Sequence, residues 1–291
     1  MFQGVYTAMI TPFSTDGEID ESALRRLVHA QIEAGVSGLV PMGTTGESPT
    51  VTHQENLRVI EIVIDAADGR VPVIAGTGSN STAEAVDMTR RAKDMGASAS
   101  LQVSPYYNKP SQEGLYRHFT TIADQVDLPV VVYNIPGRTG KNIETDTLVR
   151  MAAHPNIVAV KEASGSIKQM MEVLEAVPES FAVLSGDDNM AFPLVSLGGR
   201  GVVSVASNLI PQQMSELIRR ALDNDTAHAR SLHFELLPLF RALFLDTNPI
   251  PIKYMMYRAG YCAEYYRLPM VPLSEEHKTV IDGLMARYNM A

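Results

Sequence analysis

The sequence predicts an α/β protein, a (β/α)8 barrel followed by a C-terminal region made only of helices. Short apolar strands alternate with amphipathic helices eight times within about 220 residues. Several of the strands are continuous apolar runs, such as residues 130–132 and 202–203, as parallel strands buried on both faces should be. After Asp225 the pattern contains helices alone. Eight successive strand–helix units of this kind predict a closed barrel.

Each predicted strand is a short apolar run that ends at a glycine, a proline or a polar cluster. The strands are predicted at residues 4–13, 37–42, 71–75, 99–103, 128–133, 156–163, 181–184 and 201–205. The second predicted helix has apolar residues at positions 57, 60, 63 and 64 on one side. Asp20 can cap the first helix, and Gly35 and Gly96 can end the first and third. The helices are predicted at residues 21–34, 52–67, 82–95, 111–126, 145–153, 166–177, 189–197 and 211–222.

Three further helices are predicted after the barrel, at residues 227–245, 252–261 and 274–288. We therefore divide the chain into a catalytic barrel, residues 1–224, and a helical extension, residues 225–291. Five apolar residues of the extension are expected to be surplus surface and to form an interface: Met255, Met256, Tyr257, Tyr265 and Tyr266. The alternative fold is a doubly wound open sheet, but no dinucleotide-binding glycine pattern follows the first strand.

Composition limits the function classes. A chain of 291 residues with 45% hydrophobic and 20% charged residues is typical of a globular protein with a sizeable core. The net charge of -9 argues against a nucleic-acid surface. The single cysteine, Cys262, excludes an internal disulfide framework and fits a reducing compartment. No secretory signal or membrane span is expected, so the predicted location is the cytoplasm.

One lysine lies on a predicted barrel strand. Lys161 is near the end of the sixth strand, where Ala159 and Ala163 share its face and Val158 and Val160 point to the other. The small alanines leave room around the lysine stem. A neutral lysine amine is a nucleophile toward carbonyl carbon, so this position favours Schiff-base chemistry. The alternative is a lysine that extends from the strand end into water.

Several other polar residues follow strand ends, and the ends of barrel strands meet at one mouth. The residues at this mouth are Thr44, Thr45, Tyr107, Tyr133, Arg138, Lys161 and Gly186. The glycine-bounded turn with Thr44 and Thr45 suits a small anion, Tyr133 could transfer protons, and Arg138 could grip a carboxylate. Each also has an ordinary structural explanation: a tight turn, a core tyrosine and a solvated arginine.

A metal site is not expected. Asp187 and Asp188 are adjacent carboxylates, but no histidine or third carboxylate lies near them at ligand spacing, so a loop pair or a helix cap is favoured. The seven histidines show no ligand spacing either. We therefore predict neither a metal nor another cofactor.

Taken together, these motifs resemble those of the pyruvate-dependent class I aldolase superfamily, which includes N-acetylneuraminate lyase, and most closely its dihydrodipicolinate synthase family. The resemblance covers nearly the whole chain. It is carried by residues 4–12, 43–47 (GTTGE), 76–78, 105–108, 133–140 (YNIPGRTG), the Lys161 strand, 185–188 and 248–253 (NPIPIK). Tyr133 to Thr139 marks the synthase, because sialate lyases usually lack an arginine at the position of Arg138.

The resemblance implies a reaction and roles for individual residues. Pyruvate condenses with L-aspartate 4-semialdehyde, in the first committed step of the diaminopimelate pathway to lysine. Lys161 would form a Schiff base with C2 of pyruvate, and Tyr133, Thr44 and Tyr107 would relay protons, Tyr107 across a dimer interface. The implied substrate-binding residues are Thr45, Arg138, Gly186 and Val203.

The resemblance also implies partners. Members of the family are often homotetramers built as dimers of dimers, and many bind L-lysine as a feedback inhibitor. Five positions match the lysine site: Ser48, His53, Asn80, Glu84 and Tyr106. Asn56 and Pro49 depart from it, since lysine-sensitive members often have a histidine and a small residue there. L-lysine is therefore a candidate feedback inhibitor of this chain.

Three alternative functions are distinguishable. A lyase for a sialic or keto-sugar acid would have no substrate carboxylate for Arg138. A non-catalytic binding barrel would not need both Lys161 and Tyr133. A metal-dependent hydrolase should be inactivated by chelation.

Overall fold

The computed structural model describes residues 2–288, and these form the predicted barrel. The barrel is predicted to begin at residue 1 and the helical extension to end at residue 291, so residue 1 and residues 289–291 lie outside the described range. Eight parallel strands form one sheet in the order β2-β1-β8-β7-β6-β5-β4-β3. They are β1 (Gly4–Ala8), β2 (Gly38–Val40), β3 (Ile74–Gly76), β4 (Ala99–Val103), β5 (Val130–Asn134), β6 (Ile157–Glu162), β7 (Ala182–Ser185) and β8 (Gly201–Ser204).

The two end strands of this order, β2 and β3, lie side by side and close the barrel. The Leu39 N–H donates to the Pro72 carbonyl (3.0 Å), and the Gly76 N–H donates to the Pro41 carbonyl (3.0 Å). The sheet therefore has no open edge, and the alternative of a doubly wound open sheet is wrong.

Helices surround the barrel, and three more follow the eighth unit. They are α1 (Glu21–Glu33), α2 (His53–Ala67), α3 (Thr82–Asp94), α4 (Gln112–Gln125), α5 (Pro136–Thr139), α6 (Thr145–Ala152), α7 (Ile167–Ala176), α8 (Asp188–Ser196), α9 (Pro211–Leu222), α10 (Thr226–Ala242), α11 (Ile250–Arg258) and α12 (Glu275–Arg287). The Asp20 side chain caps α1 as predicted, by accepting from the Ala23 N–H (2.9 Å). The boundary near residue 224 stays a prediction.

The core has two layers. The inner layer fills the barrel with side chains from alternate strand positions, among them Tyr6, Leu101, Tyr133, Leu184 and Val203. The outer layer lies between the strands and the helices. This arrangement leaves polar side chains to collect at the strand ends, where the inner layer stops.

Several strand ends differ from the prediction. The first strand ends at Ala8 rather than Phe13, because the Ile10 N–H donates to the Asn208 side chain and Pro12 has no N–H to donate. The predicted tight turn after β2 is a short 3₁₀ turn, Thr44–Gly46, and a second one follows it at Ser48–Thr50. The helix α5 was also not predicted; its four residues include Arg138.

The predicted alternation along β6 is wrong at one residue. Val160 lies in the outer layer, and Ala159 and Ala163 in the inner one, as predicted. Val158 packs against the inner layer instead of the outer one, because the register shifts between Val130 and Val131. The bulge adds a residue before Ala159 and leaves the inward direction of Lys161 unchanged.

The prediction that five apolar residues of the last helices are surplus surface is wrong for three of them. Met255 and Met256 are fully buried in the outer layer, and Tyr266 is 8% exposed. Met255 and Met256 belong to α11, which the buried pair of Lys253 and Glu47 joins to the turn after β2, so this helix does not stand free in solvent. Tyr265 is half-buried, and Tyr257 is exposed as expected. Within residues 2–288, no helix has the length and apolar character needed to cross a membrane.

Candidate active site

Lys161 lies near the end of β6 with its side chain toward the barrel axis. The residue is 5% exposed, and it pairs in register with Tyr133 of β5 on one side and Leu184 of β7 on the other. The Lys161 amine lies 4.1 Å from the centre of the Tyr133 ring. Such a position favours a cation over the ring, and it holds the lysine stem in one direction.

Gly186 gives Lys161 its space. A Cβ atom at this position would lie 2.6 Å from the Ala163 Cβ and 3.2 Å from the Lys161 Cε. The Gly186 N–H donates to the Glu162 carbonyl (2.7 Å), so the backbone itself cannot move away. A larger residue would therefore displace the lysine side chain.

Tyr133 is held at the end of β5 by its own backbone. Its carbonyl accepts from both the N–H and the hydroxyl of Ser104, each at 3.0 Å. The residue is 4% exposed. The strand pairing and the Ser104 contacts fix the ring beside Lys161, where its phenol can exchange protons with a group bound to the lysine.

The turn after β2 carries Thr44 and Thr45. In this 3₁₀ turn the Glu47 N–H donates to the Thr44 carbonyl (3.1 Å), while the N–H groups at the start of such a turn have no partner within it. The Thr45 hydroxyl accepts from the Asn248 Nδ2 (3.0 Å). The turn can therefore offer free backbone N–H groups to a small anion.

Arg138 reaches the mouth from α5. Its Nη2 donates to the Asn248 carbonyl (3.0 Å) and to the Thr247 hydroxyl (3.4 Å). The rest of the guanidinium is exposed and has donors left for a carboxylate. The same residue, Asn248, thus contacts both Thr45 and Arg138.

Asp187 follows Gly186 and is electrostatically coupled to the site. Burial raises the pKa of the Asp187 carboxyl, and the nearby charges of Lys161 and Arg138 oppose that rise. Asp188 has a different role: it accepts from the Ser204 hydroxyl (2.5 Å) and from the Val205 and Ala206 N–H groups. Burial raises the pKa of Asp188 to about 6. Asp188 is therefore a structural cap for the end of β8.

Glu162 supports the strand that carries Lys161. It is fully buried and points away from the barrel axis, where it accepts from the Ser164 N–H (2.7 Å) and the Asn134 Nδ2 (3.0 Å). Burial raises the pKa of Glu162. These bonds join the ends of β5 and β6 and so fix the spacing between Tyr133 and Lys161.

A cavity of about 370 Å³ opens at the mouth. Its walls include Gly43, Thr44, Tyr133, Ile135 and Arg138. Lys161 does not line this cavity, but its amine lies 4.1 Å from the centre of the Tyr133 ring, which does. Val203 is buried in the inner layer, 1% exposed. Tyr107 is 90% exposed, with a left-handed φ of 69°, and does not line the cavity.

The same cavity continues to four of the five residues of the predicted lysine site: Ser48, His53, Glu84 and Tyr106. The fifth, Asn80, donates from Nδ2 to the Tyr106 carbonyl (3.1 Å). Glu84 accepts from the Ser79 hydroxyl (2.5 Å), and the His53 Nε2 lies 3.6 Å from its other oxygen. Asn56 and Pro49 also line this end. The Asn56 Oδ1 is buried without a hydrogen-bond partner in the described chain.

The structure thus brings Lys161, Tyr133, Thr44, Thr45, Arg138 and Gly186 to one mouth and leaves Tyr107 outside it. Sequence reasoning missed Asn248 and underrated Asp187. Residues 248–253 form one of the motifs in the sequence, but nothing in that motif indicates that it reaches back to the barrel. Within residues 2–288, no group of three or more histidine, cysteine or acidic residues could hold a metal ion.

Comparisons with known proteins agree on one family. Residues 1–287 match the model of the Dihydrodipicolinate synthetase family. The 4-hydroxy-tetrahydrodipicolinate synthase of Pelobacter propionicus is 50% identical over 290 residues, which cover 100% of both chains. That of Koribacter versatilis is 52% identical over 285 residues, 98% of this chain and 95% of the relative.

Solved structures give the same result. Dihydrodipicolinate synthase from Aquifex aeolicus is 46% identical with a TM-score of 0.98, covering 99% of both chains. The chloride-inhibited enzyme from Acinetobacter baumannii, complexed with pyruvate, is 42% identical with a TM-score of 0.98 over 100% of both chains. The enzyme from Cyanidioschyzon merolae, with lysine bound, is 40% identical with a TM-score of 0.97, covering 100% of this chain and 99% of that one.

Proposed function

Because the chain belongs to the dihydrodipicolinate synthetase family, we propose that it condenses pyruvate with L-aspartate 4-semialdehyde to give 4-hydroxy-tetrahydrodipicolinate. This reaction is the first committed step of diaminopimelate and lysine biosynthesis. The observation that carries the proposal is the buried Lys161 amine, held against the Tyr133 ring at the end of a barrel strand.

The first step joins pyruvate to Lys161. The backbone N–H groups of Thr44 and Thr45 hold the pyruvate carboxylate, and the Lys161 amine attacks C2 once it has given up its proton. Loss of water from the resulting carbinolamine gives an iminium ion. The iminium withdraws electrons from C3, so a methyl proton can leave near neutral pH and an enamine forms.

The second step forms the carbon–carbon bond. C3 of the enamine attacks the aldehyde carbon of L-aspartate 4-semialdehyde, while Arg138 grips the carboxylate of that substrate. The amine of the semialdehyde then adds to C2, closes the ring and releases Lys161. The exposed guanidinium of Arg138 has free donors for the carboxylate, which supports this assignment.

Proton transfer requires a relay of Tyr133, Thr44 and Tyr107. Tyr133 and Thr44 line one cavity, but Tyr107 is 90% exposed and does not line it. We therefore infer that Tyr107 serves the site of a second copy of the chain. In this proposal a dimer completes each site, and two dimers form a homotetramer.

Lysine inhibition is a further part of the proposal. Ser48, His53, Glu84 and Tyr106 lie in the cavity that also reaches Tyr133, so a bound amino acid would be close to the relay. Asn56 carries no charge to pair with a lysine carboxylate, whereas a protonated histidine would. The chain should therefore be less sensitive to L-lysine than its Asn56→His variant, in rate assays at rising lysine concentrations. Equal sensitivity of the two proteins would contradict this account.

The alternative, a lyase for a sialic or keto-sugar acid, shares the Schiff base and differs in the acceptor. Arg138 favours the semialdehyde, because a polyol has no carboxylate at that place. We propose the cytoplasm as the location, in keeping with a single cysteine, Cys262, which is a free thiol.

The test is borohydride reduction in the presence of pyruvate, followed by intact and peptide mass. We expect one stable pyruvyl adduct on Lys161, and turnover when L-aspartate 4-semialdehyde is added. An adduct on another lysine, or none, would exclude the mechanism. An adduct on Lys161 with turnover of N-acetylneuraminate, but not of the semialdehyde, would establish the alternative.

A further inference from the structure

A segment of the C-terminal region, residues 247–253, reaches back to the barrel mouth. We call it the bridging segment. It starts with Thr247 and Asn248, continues into α11 and ends at Lys253. Three of its residues contact the turn 44–47 or Arg138, although more than 100 positions separate them from either.

Asn248 is the central residue of this segment. Its Nδ2 donates to the Thr45 hydroxyl (3.0 Å), and its carbonyl accepts from the Arg138 Nη2 (3.0 Å). In the proposed reaction, Thr45 belongs to the group that holds pyruvate, and Arg138 grips the semialdehyde. One residue therefore links the binding groups of the two substrates.

The burial of Asn248 indicates that its main role is to link Thr45 to Arg138. The residue is 5% exposed, and its Oδ1 atom is buried with no hydrogen-bond partner within the described chain. A buried polar atom without a partner is destabilising, and an apolar residue would avoid it. The bond from Nδ2 to Thr45 is thus the one gain that distinguishes this side chain from an apolar one.

A buried ion pair anchors the other end of the segment. Lys253 pairs with Glu47, and each side chain is 1% exposed. The Lys253 amine also lies 4.4 Å from the centre of the Phe13 ring. Burial lowers the pKa of Lys253, and Glu47 opposes that effect. Since Glu47 ends the turn that carries Thr44 and Thr45, the segment holds this turn at two points.

We propose that Asn248 is a positioning residue that sets the placement of the pyruvate-binding turn relative to Arg138. This inference rests on the proposed function and adds a residue to it. Asn248 does not touch the reacting atoms; it acts through the Thr45 hydroxyl on one substrate and through its carbonyl on the other. Its side chain and its backbone therefore have separable effects.

The Asn248→Ala variant removes the side-chain bond and keeps the carbonyl. We expect the KM for pyruvate to rise about tenfold, the effect of one lost buried hydrogen bond, with a smaller change in kcat. The KM for the semialdehyde should change by less than about threefold, because Arg138 keeps the Asn248 carbonyl. Thr247→Val is the matched control: it removes the other contact of Arg138 and should affect the semialdehyde alone.

A double-mutant cycle tests whether Asn248 acts through Thr45. Thr45→Val removes the hydroxyl and keeps the backbone N–H, so it should also raise the KM for pyruvate. If the bond is the route, the double variant equals Thr45→Val alone. Additive effects, or a KM for pyruvate within twofold of the original in Asn248→Ala, would overturn the proposal. If Asn248→Ala fails to fold, Asn248→Ser takes its place in the cycle, since it keeps a small polar side chain too short to span the 3.0 Å bond.

Borohydride trapping of the unaltered enzyme with pyruvate separates the two proposals. If the unaltered enzyme forms no adduct, the proposed function falls and the positioning role falls with it. If it forms the Lys161 adduct and turns over the semialdehyde, while the cycle is additive, the positioning role alone is wrong.

Discussion

The Lys161 amine lies 4.1 Å from the centre of the Tyr133 ring, and the two residues occupy paired positions on neighbouring strands. Tyr133 therefore has two functions in the proposed site, one of its ring and one of its phenol, and a mutation that removes the whole side chain would remove both. The ring of Tyr133 contacts the lysine, whereas its phenol transfers protons in the proposed mechanism. Variants that keep one and remove the other can therefore distinguish binding from proton transfer.

Replacing Lys161 by methionine should abolish the adduct with pyruvate. Methionine fills a similar volume but offers no nucleophile, so kcat should fall by at least about 10³-fold while the fold remains. Borohydride trapping and the coupled rate assay measure the two effects, and thermal unfolding serves as the control. A trapped adduct in this variant would assign the chemistry to another lysine.

Tyr133→Phe should keep the ring against Lys161 and lose the phenol. We expect kcat to fall by about 10²- to 10⁴-fold, the usual contribution of a general acid or base. The variant should still trap pyruvate slowly on Lys161, because the amine remains in place. Unchanged turnover would show that protons reach the site by another route.

Mixing two inactive variants tests whether Tyr107 serves a partner. Lys161→Ala lacks the nucleophile, and Tyr107→Phe lacks the relay hydroxyl. In a mixed dimer, one site combines an intact Lys161 with the Tyr107 of the other copy. Random mixing should restore about one quarter of the original activity, since half of the dimers are mixed and each has one complete site. No recovery after denaturation and co-refolding would place Tyr107 within its own site or outside the mechanism.

Because both side chains of the Glu47–Lys253 pair are buried, breaking the pair should destabilise the protein. Glu47→Gln leaves the Lys253 charge buried without a partner, and we expect a loss of about 3–5 kcal/mol in unfolding free energy. The double variant Glu47→Gln with Lys253→Met has no buried charge and should recover part of this loss. Urea denaturation measures the original protein, Glu47→Gln and the double variant; a double variant less stable than Glu47→Gln would contradict the reasoning.

His118 should give the protein a specific loss of stability in mild acid. Burial lowers the pKa of His118 to about 4, so the folded chain keeps it neutral while the unfolded chain binds a proton below about pH 6.5. Its contribution is fully present above pH 6.5 and is lost as the pH falls toward 4. From pH 7 to pH 5 the loss should be about 2 kcal/mol.

The control for this prediction is His118→Gln, which does not titrate and can still bond the Thr82 hydroxyl. Its unfolding free energy should fall by about 2 kcal/mol less between the same two pH values. Parallel pH profiles of the two proteins would show that the histidine titrates normally in the folded state.

Much of the fold was predictable because its signals are local. The alternation of strands and helices gave the barrel, and the parity of Ala159, Lys161 and Ala163 gave the inward direction of the lysine. Strand ends were less predictable. The early end of β1 depends on Asn208, a residue about 200 positions away that captures the Ile10 N–H.

Part of the site could not be predicted from the sequence, because it depends on contacts between residues that are far apart in the chain. Thr44, Tyr133 and Arg138 follow strand ends, so the fold alone indicates where they meet. Asn248 and Lys253 belong to a segment with helical periodicity, and only the packing of α11 against the mouth brings them to Thr45 and Glu47. The burial of Met255 and Met256 was mispredicted from the same missing contact.

The position of the bridging segment along the chain has a consequence for biosynthesis. Every strand of the barrel precedes Asn248, so the ribosome releases all eight strands before it releases the residues that hold the turn 44–47 and Arg138. A nascent chain can thus close its barrel while the two proposed substrate-binding groups still lack their shared support. The site would reach its final geometry only after the bridging segment has left the ribosome, when the barrel is already in place.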